Sequence, residues 1–446
     1  MIWIIETCII LCSPLLSGKL QFHFQHCKDG YLCRQLKSKG IFMNARALIQ
    51  ITLSSFLALV LSQAAVAGKA PGKDGRAGHL KVMTQNLYVG ADLFKILNPD
   101  QPVPVSAAEI FSDIQMTDFM QRAESIADLV AEHEPHLIGL QEVSLIRTQC
   151  PDDIILPPND PTPNATDVYA DYLQILLDAL ADRGLFYEVA AQITNADVEL
   201  PVLNLGLLDC PFSFFDARLT DHDVTLKRND VDVTFSYSNN YQANFPVPTP
   251  AGAIEFIRGF NIVDVNLNGR DYRFVNTHLE VNGNPFANFF QYAQAVELSQ
   301  TLDALAADLS DEIVVLVGDL NSDPSDGPTA ICVFPPFFDT PGPCSTPYAV
   351  MIESGYTDTW TERNGGSEDG FTCCQQDLLM NPISWLDQRI DHVMIRPPLS
   401  GAQGPNFLNA VHSTVVGNRQ YDRTVDGLWP SDHAGVVTGM TLRQKK

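Results

Sequence analysis

Five consecutive aliphatic residues, IVVLV at 313–317, constrain this chain more than any other stretch. The run is too short for a helix and too apolar for an exposed strand, so it predicts a central strand buried on both faces. It is expected to stop at Gly318, where a turn rich in Gly, Pro, Ser and Asp begins (GDLNSDPSDGP). That turn holds Asp319 and Asn321 at the mouth of the strand. Asp and Asn favour turns in any case, so the motif by itself is as compatible with turn chemistry as with a site.

The flanking chain supplies the same arrangement repeatedly. LKVMTQN at 80–86 alternates as a strand and ends on Asn86. Residues 117–133 carry apolar residues at helical spacing and stop before Pro135. HLIGLQ at 136–141 is then a strand that presents Glu142. Strand, helix, strand with polar strand ends indicates a layered α/β domain. Further along, residues 166–182 read as an amphipathic helix, 186–194 and 224–237 as strands around an irregular insertion, and 245–252 as a Pro-rich loop. Residues 261–267 and 272–279 form a hairpin turning at Asn268-Gly269, and its second strand delivers His278. A helix over 290–309 feeds the central strand. RIDHVMI at 389–395 and the strand 435–442 close the domain, separated by a turn carrying Asp432 and His433.

Asn86, Glu142, His278, Asp319, Asn321, Asp391, Asp432 and His433 thus sit at strand ends. Carboxylate and amide oxygens without cysteine suit Mg²⁺, Mn²⁺ or Ca²⁺ better than Zn²⁺. A histidine with an aspartate to orient it is an acid/base or phosphate-polarising pair. Singly, each residue is as well explained by a solvated carboxylate, a hydrogen-bonded histidine or a helix cap. Their occurrence together and in this order points to metal-assisted attack of water on phosphorus.

The motifs QN at 85–86, GLQEV at 139–143, NTHLE at 276–280, GDLNS at 318–322, IDHVMI at 390–395 and SDHAGV at 431–436 resemble the endonuclease/exonuclease/phosphatase superfamily. That superfamily includes exonuclease III, pancreatic-type deoxyribonucleases, inositol-phosphate 5-phosphatases and bacterial neutral sphingomyelinases. The resemblance spans residues 79–442. It implies an α/β fold, a four-layer α-β-β-α sandwich with two mixed β-sheets packed face to face. It also implies a Mg²⁺-dependent phosphoric-ester hydrolase, with Mn²⁺ or Ca²⁺ as alternatives. By the same resemblance Glu142, Asn86 and Asp432 would be metal ligands, His433 the catalytic histidine and Asp391 its orienting partner. Asp319 would position or deprotonate the attacking water, and Asn321 and His278 would bind phosphate oxygens. The expected partner is a phosphodiester, either nucleic acid or a phospholipid headgroup, and no protein partner is predicted. A sphingomyelinase-like lipid hydrolase, an inositol or nucleotide phosphatase and a non-catalytic binding scaffold are the alternatives. Phe286, Phe289, Phe290, Phe334, Phe337 and Phe338 would favour the lipid reading if exposed. Asp221, His222 and Asp223, within RLTDHDVTLKR at 218–228, are a weaker candidate for a second-metal or substrate feature. An exposed turn is the preferred reading there.

Upstream, residues 43–67 have a short basic n-region, an apolar core and an Ala65-Val66-Ala67 ending, the pattern of a secretory signal peptide. Translation is expected to start at Met43, with residues 1–67 a leader and 68–78 a linker. The protein is then secreted, extracellular or periplasmic, with no membrane span in the mature chain. Processing at Ala67 removes six basic and two acidic residues, taking the net charge from −25 to −29. Such a chain repels polyanions at long range. Six cysteines remain, Cys150, Cys210, Cys332, Cys344, Cys373 and Cys374, expected as disulfide staples for long loops. Four of them lie in a Cys/Pro-rich insertion near 332–381. No zinc-site spacing is evident, and no histidine lies close to them in sequence. The sequon Asn164-Ala165-Thr166 is open to glycosylation where the host permits it.

Overall fold

Buried apolar faces on alternate strand residues organise the computed structural model. It describes residues 2–5, 8–14, 20–27, 79–249, 252–267, 269–283, 285–306, 312–332, 342–363, 369–398 and 407–442. The expected signal peptide at 43–67 and linker at 68–78 lie outside the described residues, as do Phe334, Phe337 and Phe338. A first unit, Met1–Lys69, holds an antiparallel sheet of β1 (Ile2–Ile5), β2 (Cys8–Pro14) and β3 (Leu20–Cys27).

The second unit, Ala70–Lys446, opens with β4 (His79–Asn86). Helices α1 (Val103–Met116) and α2 (Phe119–His133) follow, then β5 (Leu137–Gln141), β6 (Leu145–Gln149) and β7 (Asp167–Asp171). Asp118 caps α2 by accepting from the Gln121 N–H at 3.3 Å. After α3 (Tyr172–Asp182) come β8 (Tyr187–Leu203), β9 (Phe214–Arg228) and β10 (Asp232–Asn240). A small ribbon of β11 (Phe245–Thr249) and β12 (Gly252–Phe256) precedes β13 (Gly259–Leu267) and β14 (Arg270–His278). Helix α4 (Pro285–Ala306) leads into β15 (Ile313–Asp319). Next come β16 (Thr329–Cys332), β17 (Gly342–Cys344), α5 (Pro347–Glu353), β18 (Thr357–Asp358) and α6 (Thr359–Glu362). The chain ends with β19 (Asp391–Arg396), β20 (Leu408–Val416) and β21 (Gly435–Leu442).

The strands make two mixed sheets. One runs β20-β21-β4-β5-β9-β6-β7 with β8 also on β9, and only β4–β5 is parallel. The other runs β10-β13-β14-β15-β19-β18, and only β14–β15 is parallel. Their inner faces share one core containing Leu80, Val82, Leu137, Phe274, Val315, Val317, Val393 and Val436. The outer face of the first sheet packs Met83, Ile138 and Leu140 against α1, α2 and α3. Helix α4 covers the second sheet, where Gln294 accepts from the Glu280 N–H at 2.8 Å. All seven residues of β15 are buried, as the aliphatic run predicts. The four-layer α-β-β-α sandwich is therefore the observed architecture.

A polar stitch joins the sheets below the strand ends. Gln141 Nε2 donates to Asn276 Oδ1 at 2.6 Å, and Asn276 Nδ2 donates to the carbonyls of Leu140 and Val224, each at 3.1 Å. This needs close approach at Gly139, where an added Cβ would stand 2.5 Å from Val317 Cγ2 and 2.7 Å from Asn276 Oδ1.

Several sequence expectations are corrected. The strand continues through Gly318 to Asp319, because Gly318 takes φ +146° where other residues are strained. Residues 167–171 are β7 on β6, and the predicted helix begins only at Tyr172. The irregular insertion is a long antiparallel β8–β9 ribbon, paired from Tyr187↔Arg228 to Leu203↔Phe214 with register shifts at Val189/Ala191 and Thr194/Ala196. In the 245–252 stretch, residues 245–249 are not loop but a strand paired with 252–256. Helix α1 and strand β20 were not anticipated, and α5, β18 and α6 give the 332–381 insertion structure of its own.

The cysteines divide. Cys150–Cys210 is a disulfide across 60 residues, a staple as expected. Cys344 is also disulfide-bonded. Cys373 and Cys374 bond to each other, so that pair closes no loop.

Candidate active site

Strand register does most of the assembly. His278 pairs with Asp319 across β14–β15, and Asp319 with Asp391 across β15–β19, so the three stand in one row at one edge of the second sheet. In the first sheet Asn86 pairs with Gln141, which puts Glu142 one residue beyond. Asp432 and His433 lead into β21, the antiparallel neighbour of β4. All eight predicted residues therefore lie at strand ends, and hydrogen bonds connect most of them.

Asn86 is fully buried and bridges two carboxylates: Nδ2 stands 3.0 Å from Glu142 Oε1 and 3.2 Å from Asp319 Oδ2. Its Oδ1 accepts from the Tyr88 N–H at 2.9 Å, which fixes the amide's orientation. Glu142 adopts φ +55° just past β5, and its Oε2 accepts from the Val89 N–H at 2.9 Å. A non-glycine residue held in the left-handed region at such a place is typical of functional loops.

His433 Nδ1 lies 2.8 Å from Asp391 Oδ2 and 3.8 Å from Asp319 Oδ2. With Nδ1–H donating to Asp391, Nε2 is the atom free for chemistry. Burial opposes the charged ring, but Asp391, Asp432 and Asp319 together outweigh it and hold the imidazolium well above the usual histidine range. Burial first, then Asp391, pushes the Asp319 carboxyl up to about 7. Burial and Glu142 likewise push Asp432 up to about 7, against the lowering pull of His433. Asn321 has φ +49°; its N–H donates to Asp319 Oδ1 at 2.8 Å and its Nδ2 to the Leu279 carbonyl at 3.0 Å. Asn321 thus orients Asp319, while its amide is turned toward backbone.

Sequence reasoning missed Arg258. Its Nη1 lies 3.0 Å from His278 Nδ1 and 3.1 Å from Nε2, and its Nη2 lies 3.7 Å from Glu280. Burial first, then Arg258 and His433, keeps His278 neutral, well below its usual value. Arg258 precedes β13 in a stretch with no recognisable motif; only the Gly259↔His278 pairing brings it to the site. Arg122 was missed as well. Fully buried, it donates to the carbonyls of Leu87, Tyr88, Thr117 and Pro430 and ties the Asn86 loop to the Asp432 loop.

The 218–228 segment is not an exposed turn. It lies within β9, with Asp221 and Asp223 buried and His222 Nδ1 3.1 Å from the Val143 carbonyl. Asp221 feels both Glu142 and Arg258, and burial foremost, with Glu142, pushes it up to about 7. The cysteine reading changes too: folding brings His433 to Cys373 and Cys374, although those thiols are joined in a disulfide. Phe286, Phe289 and Phe290 are half-buried and pack on one another, with ring centroids 5.6 and 5.3 Å apart.

The donor set fits a divalent cation. Glu142, Asp319, Asp391 and Asp432 converge with the Asn86 amide, two of the carboxyls are pushed upward by crowding and burial, and Asp391 Oδ1 is buried without a hydrogen-bond partner. Hard oxygens in such a cluster match Mg²⁺, Mn²⁺ or Ca²⁺. Asp319, Asp391 and His433 offer ligand atoms within 4.8 Å of one another.

Residues 235–433 match the model of the Endonuclease/Exonuclease/phosphatase family. No curated protein sequence matches the chain. Among solved structures, truncated Caenorhabditis elegans TDP2 aligns at 14% identity, covering 81% of this chain and 97% of that one, with TM-score 0.43. An endonuclease/exonuclease/phosphatase family protein from Bacteroides thetaiotaomicron aligns at 15% identity, covering 83% and 100%, with TM-score 0.46. A mannosyl-6-phosphatase from the same organism aligns at 14% identity, covering 81% and 99%, with TM-score 0.44. The matched stretch contains His278, Asp319, Asn321, Asp391, Asp432 and His433, and it is over residues 235–433 that the chain is similar to the Endonuclease/Exonuclease/phosphatase family.

Proposed function

We propose that this protein is an exported, Mg²⁺-dependent phosphodiesterase of nuclease type. The observation that carries the reading is the buried amide of Asn86 joining Glu142 to Asp319 beside the His433–Asp391 pair. Asn86 and Glu142 lie outside the family-matched stretch, yet folding delivers them to it. A cation held by Glu142 and Asp432 would supply positive charge to the phosphate and its leaving oxygen, while Asn86, expected from sequence as a third ligand, instead turns its amide nitrogen to Glu142 and Asp319 and positions them. The chain's own residues do the rest. Asp319, held by the Asn321 N–H and the Asn86 amide, is placed to take a proton from the attacking water. His433, held protonated by Asp391, presents Nε2 to the phosphate and neutralises charge developing there. Neutral His278 and Arg258 provide donors on the other flank.

Nucleic acid and lipid substrates are both compatible with this chemistry. A solved structure of D. rerio TDP2 holds a single-strand DNA product, and we take a polynucleotide as the first reading to test. The chain's acidity then demands a cation for productive approach. A lipid phosphodiester is the second reading. It is favoured by Met380, Ile383 and Trp385, which are exposed on a loop tied to the His433 segment by Gln375 N–H to Asp432 carbonyl (2.8 Å) and Trp429 Nε1–H to Asn381 carbonyl (2.8 Å). No helix among the described residues is long and apolar enough to cross a membrane.

The test uses the purified chain with Mg²⁺, Mn²⁺ or Ca²⁺, and with EDTA as control. Plasmid DNA, RNA, sphingomyelin vesicles and bis-p-nitrophenyl phosphate are offered in parallel. Polynucleotide cleavage lost with EDTA and with His433→Ala supports the nuclease. Headgroup release with intact DNA moves the protein to the lipid branch, and silence on every substrate refutes both. N-terminal sequencing of the exported product checks cleavage after Ala67; a mature chain that retains Phe42 would refute the leader.

A further inference from the structure

A second cluster of carboxylates lies where the 150–165 loop meets the β8–β9 ribbon, and the proposed hydrolysis makes no use of it. Asp152, Glu199 and Asp216 are 1%, 7% and 0% exposed. Each of them, and Asp153, satisfies one carboxylate oxygen within the protein. Asp152 Oδ1 accepts from the Ile155 and Leu156 N–H groups at 2.9 and 3.0 Å. Glu199 Oε2 accepts from Asn164 and Ala165 N–H at 2.6 and 2.8 Å. Asp216 Oδ2 accepts from Asp153 N–H at 2.8 Å, and Asp153 Oδ2 from Asn164 Nδ2 at 3.1 Å.

The second oxygens are different. Asp152 Oδ2, Asp153 Oδ1, Glu199 Oε1 and Asp216 Oδ1, with Asn164 Oδ1, are all buried and take no hydrogen bond. Ligand atoms of Asp153, Glu199 and Asp216 fall within 4.8 Å of one another. Arg147 and Arg218 feel the charge of Glu199, but both are paired with Asp197, at 3.6 and 2.5 Å. A buried carboxylate oxygen with neither donor nor cation is costly, and burial first, then the neighbouring Asp152, pushes the Asp216 carboxyl up to about 8, as acids crowded without a counter-charge require.

We propose that Asp153, Glu199 and Asp216, with Asp152 beside them, form a structural Ca²⁺ site that pins the 150–165 loop to the β8–β9 ribbon. The set is all hard oxygen, which excludes soft metals. Ca²⁺ accepts six to eight oxygens in irregular geometry, whereas Mg²⁺ demands an octahedron and keeps several waters, which a buried pocket does not accommodate. The site is separate from the catalytic cluster. Asp216 precedes Asp221 by five residues on β9, roughly 17 Å at strand rise. Asn164 is part of the same arrangement, its Nδ2 donating to Asp153 Oδ2 at 3.1 Å.

The experiment strips the full chain with EDTA and measures Ca²⁺ stoichiometry by equilibrium dialysis and the thermal midpoint with and without Ca²⁺. The chains compared are the wild type, Glu142→Gln, and Glu199→Gln/Asp216→Asn. Ca²⁺ at a hundredfold excess over Kd is expected to raise the midpoint by roughly 3 °C in the wild type and in Glu142→Gln. The double variant loses one bound Ca²⁺ and that shift. Equal stoichiometry in the double variant, or no Ca²⁺ on the wild type, overturns the site. Should the double variant not fold, limited proteolysis of the wild type decides: Ca²⁺ protects residues 152–163 from cleavage if the site exists, and cleavage equal to that in EDTA overturns it.

Discussion

The Asn86 amide in the first sheet stands 3.2 Å from Asp319 Oδ2 in the second, so one side chain spans the two halves of the sandwich at its catalytic edge. Because the same nitrogen also meets Glu142, Asn86→Ala removes a donor shared by two carboxylates. Activity on whichever phosphodiester that assay shows to be cleaved is expected to fall about 100-fold or more. Steady-state kinetics at saturating metal checks this; a loss that extra metal fully restores would assign Asn86 to metal affinity alone.

Asp391 is the anchor of the His433 imidazolium. Asp391→Asn keeps the shape but removes a charge that raises the ring's pKa, so His433 should titrate at lower pH. Turnover is expected to drop about 10²- to 10⁴-fold. Histidine-selective NMR reads the titration directly, and an unmoved His433 pKa would contradict the pairing.

His136 makes stability depend on pH away from the site. Its Nδ1 accepts from the Lys81 N–H at 3.0 Å and so must be unprotonated. Burial, then Arg228, lowers it to about 4, against about 6.5 in the unfolded chain. Between those values the unfolded state binds more protons, so this contribution is complete above 6.5 and declines as pH falls toward 4. His136→Asn, whose amide oxygen accepts the same bond without titrating, should flatten the midpoint's pH dependence in that window.

Gly318 tolerates no side chain. Its φ of +146° is strained for other residues, and an added Cβ would stand on the Thr277 carbonyl oxygen. Gly318→Ala is expected to cost about 3 kcal/mol or more in urea unfolding and to displace Asp319. A cost under about 1 kcal/mol would show that the strand relaxes there.

Cys150–Cys210 closes a loop of 60 residues, which restricts the unfolded chain. Chain entropy gives about 4 kcal/mol for its loss in a Cys150→Ser/Cys210→Ser chain. The same loss should weaken Ca²⁺ binding, since Asp152 and Asp153 lie two and three residues after Cys150. Calorimetry with and without Ca²⁺ measures both effects.

Sequence by itself determined the buried strand at 313–317, the polar residue at each strand end and the order in which they come, because strand burial and turn chemistry are local properties. It fixed the candidate site residues by motif, from Asn86 to His433. What it left undetermined were relations that exist only across strands. The β8–β9 ribbon reads as an irregular insertion because its pairing is non-local and its faces are only partly apolar. Arg258 carries no signal until Gly259 is set opposite His278. Arg122 looks like one more surface charge on an amphipathic helix until four carbonyls from three segments surround it. Asp216 and Glu199 stand 17 positions apart in sequence on strands that pair, and only that pairing leaves their spare oxygens facing each other without a donor. Local pattern chose the elements; register and sheet packing decided which charges must share a buried space.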